Sequence, residues 1–236
     1  MNALVLILTT VISFPFCLFR IKKYNISLAR MLFIYAVFSC VGAVGACLGA
    51  FAAGEMITGK RLYGLMILDT AALFIMSRVL GIQVGCLGDF IAVPIMATCF
   101  SSKIDCLVHG CCYGFTIYQP EMQQPVRFPS AILEMVIWGL FTLVLLYWDK
   151  KGQLKNMLWP LAMTWFGLIR FVIDFLRGSA LEKNLIFYVI PGAKFWSLVT
   201  MSLGMVHLCY CLKVKLNRKP SRVEFIKTVA GKSVET

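Results

Sequence analysis

Among the ionisable residues that stand in or beside segments apolar enough to enter a bilayer are Lys103, His109, Arg127, Glu134, Arg170, Asp174 and Arg177. They fall in three stretches, KIDCLVHGCCYG from Lys103, RFPSAILE from Arg127 and FGLIRFVIDFLR from Phe166. An unpartnered charge in hydrocarbon costs roughly 3 kcal/mol on insertion scales and more by simulation, so each needs a reason to be there. Cations outnumber carboxylates in this set, which suits a phosphate-bearing ligand. The planar fork of arginine holds phosphate oxygens through two hydrogen bonds while staying charged. Two plainer readings stand beside that one. Arg170 and Asp174 make a neutralised pair between helices, and Arg127 is an interfacial anchor reaching into headgroups.

Cys106, His109, Cys111 and Cys112 read C-x-x-H-x-C-C. Adjacent cysteines crowd a tetrahedral zinc site and no second ligand pair follows, so neither a metal nor a cofactor is expected. A disulfide among the three cysteines suits an outward-facing loop, and a thiolate activated by Lys103 or His109 is a third reading. The other seven cysteines lie in or at the ends of apolar runs, where cysteine acts as a small hydrophobe. Gly110 and Gly114 around Tyr113 fit a tight turn folding back over a headgroup, although membrane helices also use glycine for packing alone. Tyr63 reads equally as an interfacial belt residue or a site residue. Asp69 calls for a partner that the sequence does not name. His207 is expected to be a packing histidine with its hydrogen bonds satisfied.

The elements that must position these groups are membrane helices. The chain is 60% hydrophobic and only 14% charged, with a mean hydropathy of +0.82, too apolar for a soluble domain of this length. The expected class is therefore an all-α polytopic membrane protein of about seven transmembrane helices. Candidate spans run over 3–19, 31–53, 62–82, 87–100, 131–147, 157–176 and 195–212. The fourth is short and holds Asp89 and Pro94, which reads as a broken or partly re-entrant helix. Residues 1–212 form one transmembrane domain and 213–236 a basic cytoplasmic tail.

Lysine and arginine cluster at 20–30, 150–155 and 213–232, and an extracytoplasmic N-terminus followed by seven crossings puts all three clusters inside. Basic segments flanking spans answer to anionic lipid and make nucleic acid a poor partner. In that orientation the loops 101–130 and 178–194 lie outside, and the seven ionisable residues converge on the outer leaflet. Arg170, Asp174 and Arg177 share one helical face. A small transporter would show internal repeats and paired broken helices, and the sequence has neither.

At these residues the chain resembles the prolipoprotein diacylglyceryl transferase family, from about Gly59 to about Trp196. Arg127, Pro129, Ser130 and Glu134 fit its arginine-x-proline-serine run ending in glutamate. Gly167, Arg170, Asp174 and Arg177 fit its sixth helix, with aspartate for the usual glutamate. Asp89 and Ala92 precede the signature loop at the family spacing, and Gly110, Tyr113 and Gly114 fit that loop's end, here of the cysteine-bearing GCCYG kind. In place of the family's glycine-arginine-x-glycine-asparagine stand Ser102 to Cys106, while His109 replaces an asparagine, Cys111 a glutamate and Tyr63 a histidine.

The resemblance implies a multi-pass enzyme of the bacterial cytoplasmic membrane. It would move the diacylglyceryl group of phosphatidylglycerol onto the lipobox cysteine thiol of a prolipoprotein, releasing glycerol phosphate. In that reaction Arg127 and Arg170, assisted by Arg177 or Lys103, hold the phosphate. His109, with Glu134 second, takes the thiol proton, and Asp174 orients the cations. The departures also leave room for an altered acceptor, or for a relative that binds anionic phospholipid or a membrane partner without turnover.

Overall fold

The computed structural model describes residues 3–52, 62–108, 114, 116–117, 126–176 and 192–217. Among them are seven helices: α1 (Ala3–Tyr24), α2 (Leu28–Ala52), α3 (Leu62–Leu80), α4 (Val84–Val108), α5 (Ser130–Lys151), α6 (Leu158–Leu176) and α7 (Gly192–Asn217). A two-stranded antiparallel ladder, β1 (Thr116–Ile117) with β2 (Val126–Arg127), lies between α4 and α5. Four helices, α2, α4, α5 and α7, are long and apolar enough to cross a membrane.

Helix α4 is the hub, packed on α1, α3, α5 and α6, while α2 pairs with α3 and α6 with α7. Ser13 of α1 meets Tyr35 of α2, Ser101 near the end of α4 meets Thr9 near the start of α1, and Lys103 meets Glu134, so the pairs α1–α2, α1–α4 and α4–α5 run antiparallel. Trp138 of α5 stacks on Phe166 of α6 with ring centroids 5.3 Å apart, and Phe141 on Trp165 at 5.0 Å. The polarity is that of a membrane protein. Val206, Val79 and Ile75 are 70%, 68% and 64% exposed, whereas the charged residues Arg20, Lys103, Glu134 and Arg170 are at most 4% exposed. A soluble fold would reverse that order.

Two expectations are corrected. Helix α4 is neither short nor broken: it runs 25 residues with Pro94 inside, so Ser101 to Val108, expected in a loop, form its last turns. Polar residues fit there because Thr98, Ser101 and Ser102 return their hydroxyls to the carbonyls of Pro94, Thr98 and Cys99. Helix α1 likewise continues past Phe19 to Tyr24 and carries Arg20 into the bundle rather than into a basic loop.

Backbone contact sets the α6–α7 crossing. A Cβ on Gly167 would lie 2.5 Å from the Met201 nitrogen and 2.6 Å from the Ser197 carbonyl oxygen. Small residues allow such approach in membrane bundles. Gly167→Ala is expected to force the pair apart and lower the thermal midpoint in detergent, by about 1–3 kcal/mol of stability as overpacking does. An unchanged midpoint would show that the two backbones do not touch.

Candidate functional site

At one pole of the bundle the ends of α4 and α6 meet the start of α5. Lys103 Nζ lies 2.7 Å from Glu134 Oε2, and Arg170 Nη1 donates to the same oxygen at 2.8 Å. Arg170 Nη2 stands 3.6 Å from Asp174 Oδ1, one turn further along α6. All four side chains are buried. Two cations and two carboxylates cancel, which is how charge is tolerated in such a place. Glu134 bridges three helices, and a carboxylate holding two cations through one oxygen orients both.

The described loop residues lead from the ladder into the start of α5. Gly114 donates its N–H to the Phe128 carbonyl at 2.7 Å, and the ladder pairs Thr116 with Arg127 and Ile117 with Val126. Phe128 and Pro129 then lead into α5, whose first residue, Ser130, is buried. Arg127 is thereby tied at the backbone seven residues before Glu134. Tyr63 lies in the first turn of α3. His109, Gly110, Tyr113 and Arg177 lie outside the described residues, as do Cys111 and Cys112. Among the site residues read from the sequence, the described side chains brought together are Lys103, Glu134, Arg170 and Asp174.

The opposite pole holds a second ionic cluster, about 21 Å away by the rise of α4 between Asp89 and Lys103. Arg20 is its centre. Its Nε donates to Asp149 Oδ2 at 2.8 Å, Nη1 to the Phe90 carbonyl at 2.7 Å, and Nη2 to the Asp89 carbonyl at 2.8 Å and to the Tyr24 hydroxyl at 3.1 Å. Lys23 Nζ and the Tyr24 hydroxyl both donate to Asp149 Oδ1, at 2.6 Å each. Asp89 accepts the backbone N–H of Leu158 at 2.8 Å and that of Asn156, tying α4 to the first turn of α6. Gly85 lies against the same turn, where a Cβ would come 2.5 Å from that of Asn156. Lys23, Tyr24, Asp89, Asp149, Asn156 and Leu158, with their neighbours, line a cavity of about 360 Å³.

Sequence reasoning missed this second cluster, because Arg20 and Lys23 read as orientation charges. The available signal was Asp149, an acid at the head of a basic run, with Tyr24 one turn after Arg20. Asp69 on α3 is 1% exposed and its Oδ1 has no hydrogen-bond partner among the described residues. His207 is half-buried beside Phe74, at 5.7 Å between rings. Its Nδ1 has no hydrogen-bond partner among the described residues, which corrects the expectation of a satisfied packing histidine.

Among curated proteins none matches the chain significantly. The family model for prolipoprotein diacylglyceryl transferase matches residues 3–210 of 236, spanning both ionic clusters and every site residue named above. With apolar side chains turned outward and ionic ones turned inward, that match makes the protein a multi-pass membrane protein. The chain belongs to the prolipoprotein diacylglyceryl transferase family, whose members move diacylglyceryl groups onto prolipoproteins.

Proposed function

We propose that this protein transfers the diacylglyceryl group of phosphatidylglycerol to the lipobox cysteine of a prolipoprotein, at the outer face of the bacterial cytoplasmic membrane. The observation that carries the reading is the buried cluster in which Glu134 holds Lys103 and Arg170 side by side. Donors fixed beforehand, in a site of low dielectric, stabilise charge that develops on a leaving group. Here that group is glycerol phosphate. The four buried charges cancel, so the excess positive charge for the phosphate comes from Arg127, at the ladder beside α5, and from Arg177. On their sequence motif, Gly110, Tyr113 and Gly114, with Tyr63, are assigned to the headgroup.

The bond changes are those of displacement at carbon. The thiol sulfur forms a C–S bond to the terminal glyceryl carbon of the diacylglyceryl group, and the C–O bond to phosphorus breaks, its electron pair leaving on the phosphate oxygen. The thiol proton must go to a base. Glu134 is engaged by two cations, which supports an orienting role for it rather than that of the base.

Purified protein, given phosphatidylglycerol and a lipobox peptide, is expected to yield a diacylglyceryl peptide by mass spectrometry. Arg170→Ala is expected to lower the yield by about 10²–10³-fold, the loss typical for a fixed donor to a developing anion. No thioether product, under conditions where another member of the family works, would defeat the reading. A second reading draws on the same cluster. Because Glu134 is occupied by two cations, the pole is also built to grip an anionic phospholipid without turning it over. Saturable phosphatidylglycerol binding with no product would select it.

A further inference from the structure

Asp69 is a buried carboxyl group that neither ionic cluster uses. Glu134 and Asp174 are engaged with Arg170, Asp149 with Arg20, Lys23 and Tyr24, and Asp89 with two backbone amides. Asp69 is 1% exposed with its Oδ1 unpartnered among the described residues. Its Oδ2 lies against Gly42 of α2, where an added Cβ would be 3.2 Å away. A polar group buried in an apolar bundle without a hydrogen bond costs stability, and in membrane proteins ionisable groups placed this way mark a function.

Its depth locates it. Thr70, the next residue, bonds through Oγ1 to Met163 Sδ at 3.0 Å, and Met163 precedes Arg170 by about 10 Å of helix rise. Cys99, one turn before Lys103 on α4, is fully buried. Asp69, beside Thr70, therefore stands inward of the cationic cluster.

Displacement at a saturated carbon is in line, so the nucleophile approaches on the side opposite the leaving oxygen. With the phosphate held at Lys103 and Arg170, in-line attack from the inward side brings the sulfur toward Asp69. We propose that Asp69 is the catalytic base of the transfer, accepting the proton of the acceptor thiol on the inward side of the reacting carbon. The inference rests on the transfer reaction proposed above. As the C–S bond forms, the S–H proton passes to an Asp69 oxygen and the C–O bond breaks toward phosphate. Glycerol phosphate departs with the electron pair, and Asp69 returns its proton to that product or to water.

The full-length chain in detergent tests this with phosphatidylglycerol vesicles and a lipobox peptide. Asp69→Asn and Asp69→Leu are expected to keep a thermal midpoint at or above that of the unaltered protein and to bind phosphatidylglycerol equally well. Both should lose at least about 10²-fold in kcat, the lower end of what a general base contributes. A hydrophobic carbodiimide is expected to label Asp69, and phosphatidylglycerol to protect it. An active Asp69→Asn enzyme beside an active unaltered one overturns the base and leaves the transfer standing. Lost turnover with a lowered midpoint or weakened lipid binding assigns Asp69 to structure and overturns the proposal, as does labelling that lipid does not block. An inert unaltered chain fells the transfer reading and the base together.

Discussion

Glu134→Gln is expected to cost about 3–5 kcal/mol of stability, the range for removing one member of a buried ion cluster. The glutamine keeps the shape and one acceptor oxygen but not the charge. Among the described residues, Lys103 and Arg170, both buried, then keep Asp174 as counter-ion, and its pair with Arg170 is the longest in the cluster at 3.6 Å. Thermal unfolding in detergent measures the loss. Charge bookkeeping supplies the control: Lys103→Met combined with Glu134→Gln restores one cation to one carboxylate, and it should recover most of the midpoint. Turnover should not return, because a phosphate-holding cation and its orienting carboxylate are both gone. A single variant as stable as the unaltered protein would show that Glu134 does not hold the two cations in place.

Asp149→Leu is expected to be as damaging at the other pole, for the same reason. Arg20 is 4% exposed and gives its guanidinium to Asp149, to two carbonyls of α4 and to Tyr24. Without Asp149 its charge is buried with only neutral acceptors, again about 3–5 kcal/mol. Pairing Arg20→Met with Asp149→Leu removes both charges and should recover much of the loss, leaving a coupling energy that a double-mutant cycle reads directly. Arg20→Lys should not substitute, since a point charge cannot reach the carboxylate and two carbonyls at once. Turnover per folded molecule should stay near normal in the rescued pair, as the proposed site is about 21 Å away. A large loss of kcat with the midpoint restored would mean that the two poles are coupled.

The helices were largely legible because each is an apolar run with its own boundaries. The exceptions follow from polar side chains that bond back to their own helix. Ser101 and Ser102 looked like loop residues and are helical through such bonds. Asp89 and Pro94 looked like a break, but the carboxylate serves the backbone of another segment and the helix continues through the proline. At the site, Glu134, Arg170, Asp174 and Lys103 were legible as ionisable groups in apolar surroundings. Their pairing was not. Asp174 stands within one turn of Arg170 and was the expected orienting group, yet the closest carboxylate to both cations is Glu134, from α5.

Composition and span pattern alone determined that this chain is a helical membrane protein, and the types and spacing of Arg127, Glu134, Arg170 and Asp174 determined its family. Those are local properties of hydropathy and motif. Tertiary structure alone decided which charges neutralise which, that Arg20 belongs to the interior, and that Asp69 Oδ1 has no hydrogen-bond partner among the described residues. Burial and pairing are relations between helices far apart in the chain. In a medium of low dielectric their energies depend on a few ångströms of separation that no single segment encodes.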